Sequence, residues 1–205
     1  MSGSVTPLPE VPLEPGALFI GDLHLDAASA ADCAGFCTWL AELGPGCPRL
    51  VILGDLFDAW VGPAHARLPG AAAVVGAVRA TVERGTAVDV VPGNRDFLLG
   101  PGFEAASGAT VRARGLVMVA RPADAPDGPT GGGTVESQRI LCLHGDELCT
   151  LDRAYQRMKR VLRSGTVTWL APRLPDRAAL WAARRLRGAS RQAVAAKPPA
   201  EKAQQ

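Results

Sequence analysis

Acidic, histidine and asparagine side chains follow four short apolar segments of this chain. In chain order they are Asp22, His24 and Asp26 in FIGDLHLD, Asp55 and Asp58 in VILGDLFDAW, Asn94, Arg95 and Asp96 in VPGNRDF, and His144 and Asp146 in LCLHGDEL. Carboxylate and amide oxygens with imidazole nitrogens suit a divalent cation such as Mn²⁺, Zn²⁺ or Fe²⁺, and no thiolate is required. The pattern therefore predicts a metal site.

Each of these residues alone has an ordinary structural explanation. An Asp that follows a strand often caps a helix or completes a turn. An isolated histidine such as His144 is most often a hydrogen-bonded residue of the core. The ordered recurrence of such residues after four apolar segments favours the metal site over these separate explanations.

The elements that must position these side chains are short strands that alternate with longer helices. Apolar composition predicts buried strands at 17–20, 50–54, 87–93 and 139–145, helical spacing predicts helices over Ser29–Leu43 and Leu68–Arg84, and a strand or hairpin is expected within 109–120. This alternation indicates an α/β fold made of β-α-β units. Ligands of such folds gather at the carboxyl ends of the strands, where the polar residues lie.

Charge divides the chain in two, although the 205 residues sum to only +2. Residues 1–152 hold 9 Lys/Arg and 18 Asp/Glu, whereas residues 153–205 hold 13 and 2. This asymmetry indicates an acidic, metal-binding body joined to a basic segment that meets an anionic partner. The longest apolar runs have the length of strands, which excludes an integral membrane protein because a spanning helix needs about 20 apolar residues.

We expect four regions along the chain. They are a flexible tail at 1–15, a core at 16–150 with a flexible loop at 121–137, a basic helical segment at 151–197, and a frayed end at 198–205. The N-terminus has no basic residue before an apolar run, so no secretory signal is expected. The five cysteines are then expected to be reduced thiols. Among them Cys33 and Cys37 are assigned to core packing, and His65, which fits no motif, is assigned to the surface.

The motifs GDLH, GDLFD, GNRD and HGD, in this order, resemble those of the calcineurin-like metallophosphoesterase family. The longer stretches GNRDFLLG and HGDELCTLDRAYQ are similar to the subfamily of UDP-2,3-diacylglucosamine hydrolases of lipid A biosynthesis. That likeness runs from about Leu18 to Lys197 and is interrupted by the 121–137 loop. It implies a calcineurin-like α/β sandwich core with a helical cap.

The resemblance also implies a site with two divalent metal ions, for which Mn²⁺ is expected. Asp22 and His24 would hold one ion, Asn94 and His144 the other, and Asp55 would bridge them. Positions that would contact substrate are Asn94, Arg95, Asp152, Ser190 and Lys197. The implied reaction is hydrolysis of the pyrophosphate bond of UDP-2,3-diacylglucosamine, which releases UMP and 2,3-diacylglucosamine 1-phosphate.

The basic segment allows three interpretations. It could form ordinary solvated amphipathic helices, bind a nucleic-acid backbone, or form a cap that holds acyl chains and docks on an anionic membrane surface. The resemblance favours the cap. We therefore expect a cytoplasmic protein that lies peripherally on the inner membrane and binds a UDP-linked diacylglucosamine lipid, with no nucleic-acid partner.

The family also carries a Gly-His-x-His motif near its C-terminus, which supplies one further histidine to each metal. The three histidines of this chain are His24, His65 and His144, so that motif has no counterpart. We therefore expect a C-terminally truncated member that lacks the closing strands of the sheet and has weak or absent activity. The alternatives are a metallophosphoesterase for another phosphoester and a non-catalytic remnant.

Overall fold

The computed structural model describes residues 6–44, 46–120, 138–146, 157, 160–161, 164–182, 184–185 and 188. Within these residues the fold is mixed α/β. Its elements are β1 Glu10–Pro12, β2 Leu18–Ile20, α1 Ala30–Glu42, β3 Arg49–Leu53, α2 Pro63–Ala66, α3 Pro69–Glu83, β4 Ala87–Val91, α4 Pro101–Ser107, β5 Thr110–Val111, β6 Leu116–Ala120, β7 Gln138–Cys142, α5 Gly165–Leu170 and a 3₁₀ turn Ala171–Arg173.

The first sheet has the strand order β2-β3-β4-β5, and every neighbouring pair in it is parallel. Side chains alternate between its two faces, as the twofold period of a strand requires. Leu50 and Ile52 of β3 join the main core, which also contains buried residues of α1 and α3. Val51, between them, packs instead with residues of the second sheet. Both faces of β3 are therefore buried, which explains its unbroken apolar sequence.

Helices α1 and α3 pack against each other beside the first sheet. Helix α1 begins after Ser29, whose side chain accepts a hydrogen bond from the backbone N–H of Asp32 and so caps the helix. Near the start of α3, a β-carbon on Gly70 would lie 2.6 Å from the carbonyl oxygen of Asp26. Only glycine therefore permits this close approach of α3 to the segment that leads into α1.

The second sheet has the order β1-β6-β7. Strand β1 pairs with β6 in parallel, and β6 pairs with β7 in antiparallel register. Buried residues of both sheets form one cluster between them, consisting of Val11, Val51, Val91, Leu116, Met118 and Cys142. The strand that leads to His144 therefore belongs to a different sheet from the strands that lead to the other candidate ligands.

Two local expectations differ from the structure. The flexible tail predicted at 1–15 contains β1, whose Val11 is buried between the sheets. Among the described strands β1 pairs with β6 alone, and Pro12, which has no backbone N–H, is tolerated in such an edge strand. The 109–120 segment contains two strands, but β5 and β6 enter different sheets and form no hairpin. The four predicted strands and the two long helices are confirmed. Their ends agree with the structure to within two residues, except that β7 ends three residues before the predicted end at 145.

His65 was expected at the surface, and that prediction is wrong. The residue is only 2% exposed. Its Nδ1 accepts a hydrogen bond of 3.3 Å from the backbone N–H of Val61, and its ring lies 6.4 Å from that of Trp60. The short helix α2 carries it inward, a placement that no periodic pattern in this loop could indicate. Cys33 is fully buried and Cys37 packs against the core, which confirms their assignment.

The basic segment contacts the body of the protein where the structure describes it. After α5 and the 3₁₀ turn, residues 176–182 are helical. Ala179 is 1% exposed and joins a small apolar cluster with Ala59, Val61 and Ala64. Residues 121–137 and 198–205, predicted to be a loop and a frayed end, lie outside the described residues, and the 151–197 segment is described only in part. None of the described helices has the length and apolar character needed to cross a membrane.

Candidate metal centre

The loops that follow β2 and β3 are joined by backbone hydrogen bonds. The N–H of Asp22 donates to the carbonyl oxygen of Gly54 (3.1 Å), and the N–H of His24 donates to that of Asp55 (2.8 Å). Beyond them, Leu25 forms an isolated parallel bridge with Phe57. The parallel pairing of the two strands therefore continues into their loops, which holds the two sets of polar residues side by side.

Three residues of these loops adopt left-handed backbone conformations that are uncommon for side-chain-bearing residues. They are Asp22 (φ 53°), His24 (φ 49°) and Asp55 (φ 50°), and among the described residues no other non-glycine residue has a positive φ. Such a conformation costs about 1–3 kcal/mol and persists where surrounding contacts impose it, most often at functional sites. All three residues are predicted metal ligands.

Asp55 lies at the centre of the cluster and is 2% exposed. Its Oδ1 is 3.9 Å from Nε2 of His144, and its Oδ2 is 3.6 Å from Nδ1 of His24. The two oxygens of one carboxylate therefore face two different imidazoles. Asp22 completes the arrangement, because ligand atoms of Asp22, Asp55 and His144 all lie within 4.8 Å of one another.

A hydrogen bond to the backbone orients the His144 imidazole. Its Nδ1 lies 2.9 Å from the carbonyl oxygen of Leu53. Because a carbonyl can only accept, the proton is on Nδ1, and the lone pair of Nε2 is directed toward the cluster. The side chain is only 7% exposed, so the ring is largely enclosed by the protein.

Arg95 and its neighbours in the turn after β4 complete the site. The backbone N–H of Arg95 donates to Oδ1 of Asp55 at 2.9 Å, and its Nε lies 3.7 Å from Oδ2. Gly93 makes room for this carboxylate, since a β-carbon there would lie 2.2 Å from Oδ1 of Asp55. Asn94 is exposed between these two residues. The turn therefore brings Asn94 and Arg95 next to the Asp55 carboxylate.

Asp96 is fully buried next to the site and connects two of its loops. It accepts hydrogen bonds from the backbone N–H of Gly93 (2.7 Å) and from that of Phe57 (3.3 Å). Burial, with a smaller contribution from the Asp55 carboxylate, raises the pKa of Asp96 to about 6, although its hydrogen bonds to backbone N–H groups oppose the shift. Asp96 thus joins the turn after β4 to the loop after β3.

The structure brings most of the sequence-derived candidates together. Asp22, His24, Asp55, Arg95 and His144 surround one small region, and Asn94 directly precedes Arg95 in the turn after β4. Asp26 serves a turn instead, because its carboxylate accepts a hydrogen bond from the N–H of Ala28. Asp152, Ser190 and Lys197 lie outside the described residues.

Sequence reasoning did not single out Gly54 and Gly93, and it listed Asp58 and Asp96 without giving either a separate role. Gly54 and Gly93 permit close approaches that no side chain would allow, and Asp58 contacts Arg95. The available signal was the dipeptides Gly54-Asp55, directly after β3, and Gly93-Asn94, two residues after the end of β4. Glycine next to a polar residue marks a turn with special backbone needs.

The donor set fits a divalent cation. Two carboxylates and one imidazole with an oriented lone pair converge within 4.8 Å, and oxygen and nitrogen donors of this kind suit Mn²⁺, Fe²⁺ or Zn²⁺. Asp22 and Asp55 of this cluster follow the parallel strands β2 and β3, and His144 follows β7 of the second sheet. This mixed α/β fold and its site fit a protein of the metallophosphoesterase type.

Comparison with curated proteins specifies the family. The chain is 38% identical over 185 residues to the UDP-2,3-diacylglucosamine hydrolase of Edwardsiella ictaluri, a match that covers 88% of this chain and 63% of the relative. It is 36% identical over 177 residues to the enzyme of the same name from Azotobacter vinelandii, covering 86% of this chain and 67% of the relative. The chain belongs to the UDP-2,3-diacylglucosamine hydrolase family.

Two further results concern the extent of this match. The chain spans 63% of the length of the Edwardsiella relative and 62% of the equally named protein of Aeromonas salmonicida, to which it is 35% identical. A scan against family models returned no match.

Proposed function

We propose that this protein hydrolyses the pyrophosphate bond of UDP-2,3-diacylglucosamine to UMP and 2,3-diacylglucosamine 1-phosphate, a step of lipid A biosynthesis. The activity follows the name of the curated relatives. The observation that carries the proposal is the position of Asp55, whose two oxygens face His24 and His144 separately. A carboxylate so placed can serve two cations at once, as a phosphoryl displacement between two metals requires.

We further propose the ligands of two divalent cations, with Mn²⁺ as the expected metal. Asp22 and His24 hold one, Asn94 and His144 hold the other, and Asp55 contributes one oxygen to each. When bound, the cations supply an activated water at neutral pH and neutralise charge on the phosphate oxygens. The carbonyl oxygen of Leu53 keeps the His144 lone pair on Nε2, so this ligand is oriented before any cation binds.

Arg95 binds a phosphate of the substrate in this proposal. Its side chain is 24% exposed, so the guanidinium is accessible from solvent while Nε stays 3.7 Å from Asp55. An arginine can donate two parallel hydrogen bonds to a phosphate, which fixes the orientation of the group as well as attracting its charge. Asn94, Asp152, Ser190 and Lys197 are the other proposed substrate contacts.

The calcineurin-like sandwich and the helical cap at 151–197 are the proposed architecture. Trp169 and Trp181 are 60% and 64% exposed, and the guanidinium carbons of Arg173 and Arg185 lie 4.3 Å and 5.6 Å from their respective rings. Exposed indole rings beside arginines suit the boundary between lipid headgroups and acyl chains. They support a peripheral location on the cytoplasmic face of the inner membrane, where the lipid substrate is held.

The function is tested by measuring Mn²⁺-dependent release of UMP from UDP-2,3-diacylglucosamine, with the Azotobacter enzyme as positive control for the assay. We expect weak release, which Asp55→Ala and a chelator should each abolish. Binding of Mn²⁺ by calorimetry provides a readout independent of turnover, and Asp55→Asn should weaken it by about 10–100-fold. Asp32→Asn, at an exposed position of α1, is the matched control and should bind Mn²⁺ as the natural chain does.

Three outcomes would contradict the proposal. UMP release that persists in Asp55→Ala would place the chemistry elsewhere. Turnover of a generic phosphodiester such as bis-p-nitrophenyl phosphate without turnover of the lipid would support a metallophosphoesterase with another substrate. Absence of Mn²⁺ binding together with absence of turnover would support a non-catalytic protein.

A further inference from the structure

Arg95 has a second acidic neighbour in addition to Asp55. Its Nη1 donates a hydrogen bond of 3.1 Å to Oδ1 of Asp58, which is also an ion pair. The Asp58 side chain is 12% exposed and that of Arg95 is 24% exposed, so water screens the pair only in part. Such a charge-assisted bond restricts the guanidinium more than a fully exposed pair would.

The backbone around both residues is also held. The N–H of Asp58 donates to the carbonyl oxygen of Leu25 at 3.0 Å, and the N–H of Trp60 donates to that of Arg95 at 3.1 Å. The 58–60 segment therefore lies along the turn that carries Arg95. The backbone of Asp58 is thus held by a hydrogen bond that does not involve the guanidinium, which keeps its carboxylate close to Arg95.

Asp58 and Asp55 contact different nitrogens of the Arg95 guanidinium. Asp58 accepts from Nη1, and Asp55 lies beside Nε. A guanidinium has five N–H donors in one rigid plane, so two fixed neighbours determine where the remaining donors point. Asp55 is also the proposed shared metal ligand. Asp58 is therefore the acid whose contact with Arg95 can be removed while the proposed ligand set stays intact.

We propose that Asp58 is a positioning residue, which holds the Arg95 guanidinium in the orientation that binds a phosphate of the substrate. This rests on the proposed function insofar as the phosphate belongs to UDP-2,3-diacylglucosamine. Asp58 itself contacts neither the phosphate nor the metals. Without Asp58, the Arg95 guanidinium keeps its charge but is no longer restricted to one orientation. It then binds phosphate less well, because its donors are not held in the direction of the phosphate oxygens.

The test compares Asp58→Ala and the isosteric Asp58→Asn with Arg95→Ala and with the double variant. We expect Asp58→Ala to raise KM about tenfold with a smaller change in kcat. Asp58→Asn, which keeps one oxygen acceptor, should recover part of this loss. In the Arg95→Ala background, Asp58→Ala should have almost no further effect, because the side chain through which it acts is absent. A variant that merely folded poorly would lower kcat through the active fraction and leave KM unchanged.

A second readout does not depend on turnover. In ¹⁵N NMR of the whole chain, the Arg95 Nε–H group should be ordered in the natural protein and mobile in Asp58→Ala, and inorganic phosphate should bind the variant about tenfold more weakly. Glu10→Ala is the matched control, since it also removes an acid paired with an arginine, Arg139, but at β1. It should change none of these values.

These readouts separate the two proposals. A natural chain that binds phosphate through Arg95 but does not hydrolyse the lipid would contradict the proposed function and leave the role of Asp58 intact. The role of Asp58 would be overturned by unchanged Arg95 order and phosphate affinity in Asp58→Ala. It would also be overturned by equal losses from Asp58→Ala with and without Arg95.

Discussion

Gly54 lies directly against the imidazole of His144. A β-carbon added to Gly54 would be 2.2 Å from Nδ1 of that ring, well inside van der Waals contact, and Gly54 has a φ of 89°. Space and backbone conformation therefore both demand glycine at the residue that precedes Asp55. Through this contact β3 sets the position of a proposed ligand that comes from the other sheet.

Gly54→Ala should consequently displace His144. We expect weaker Mn²⁺ binding by at least about tenfold and a free energy of unfolding lowered by about 2 kcal/mol or more, measured by calorimetry and urea denaturation. Gly76→Ala is the matched control, because Gly76 lies in α3 with no atom within 4 Å of an added β-carbon. It should stabilise the protein by up to about 1 kcal/mol and leave Mn²⁺ affinity unchanged.

Asp96→Ala should destabilise the fold. Asp96 is fully buried and accepts hydrogen bonds from the N–H groups of Gly93 and Phe57, so its removal leaves two buried donors without their acceptor. We expect the free energy of unfolding, measured by urea denaturation, to fall by about 2–4 kcal/mol. Asp32→Ala, which removes an exposed acid from the first turn of α1, should cost less than about 1 kcal/mol. Equal losses in the two variants would show that the buried carboxylate contributes no more than a surface acid.

Ala179→Glu should detach the basic segment from the body. Ala179 is 1% exposed against Ala59, Val61 and Ala64, and a carboxylate placed there would be buried without a partner. We expect trypsin to cleave after Arg177 about tenfold faster, with little change in the melting temperature because the main core is untouched. The neighbouring Ala178 is exposed on the same helix, so Ala178→Glu should leave the cleavage rate within about twofold. Identical cleavage rates in the two variants would contradict the packing of this segment.

Cys33 should resist alkylation at ordinary pH. Burial, with smaller contributions from Cys37, Asp26 and Asp32, raises the pKa of the Cys33 thiol to about 11. At pH 8 only about one thiol in a thousand is then the reactive thiolate, against about one in four for an unperturbed cysteine. Mass spectrometry after iodoacetamide treatment should show slow modification that accelerates as the pH rises, and fast modification in urea. Rapid reaction of the folded protein at pH 8 would contradict the burial of this side chain.

Local sequence signals were sufficient for β2, β3 and β4 of the first sheet and for most residues of the candidate metal site. An unbroken apolar run predicts β3, and an apolar run interrupted only by Asp89 predicts β4, because both faces of these strands are buried. The polar residues that follow them were assigned to a metal site from residue type and order alone. Parallel strands bring their carboxyl ends to one edge, so this inference needed no knowledge of individual contacts.

Pairing between distant segments could not be predicted in the same way. The proline-rich start of the chain gave no sign that Glu10–Pro12 would pair with β6, more than a hundred residues later. His65 was misplaced because its burial depends on how α2 folds over Trp60. Periodicity shows which side of a regular element is apolar, and it gives no information about a short segment such as 60–66, which has no repeating pattern.

By itself, then, the sequence determined the kind of chemistry this protein carries: oxygen and imidazole donors after predicted strands, and an arginine next to them. Only the tertiary structure decided that the two oxygens of Asp55 face two imidazoles, one of which arrives from the second sheet, and that Asp58 holds Arg95. The physical reason is that residue type and spacing specify which atoms are available. Their relative positions depend on strand pairing, left-handed loop conformations and close glycine contacts between segments far apart in the chain.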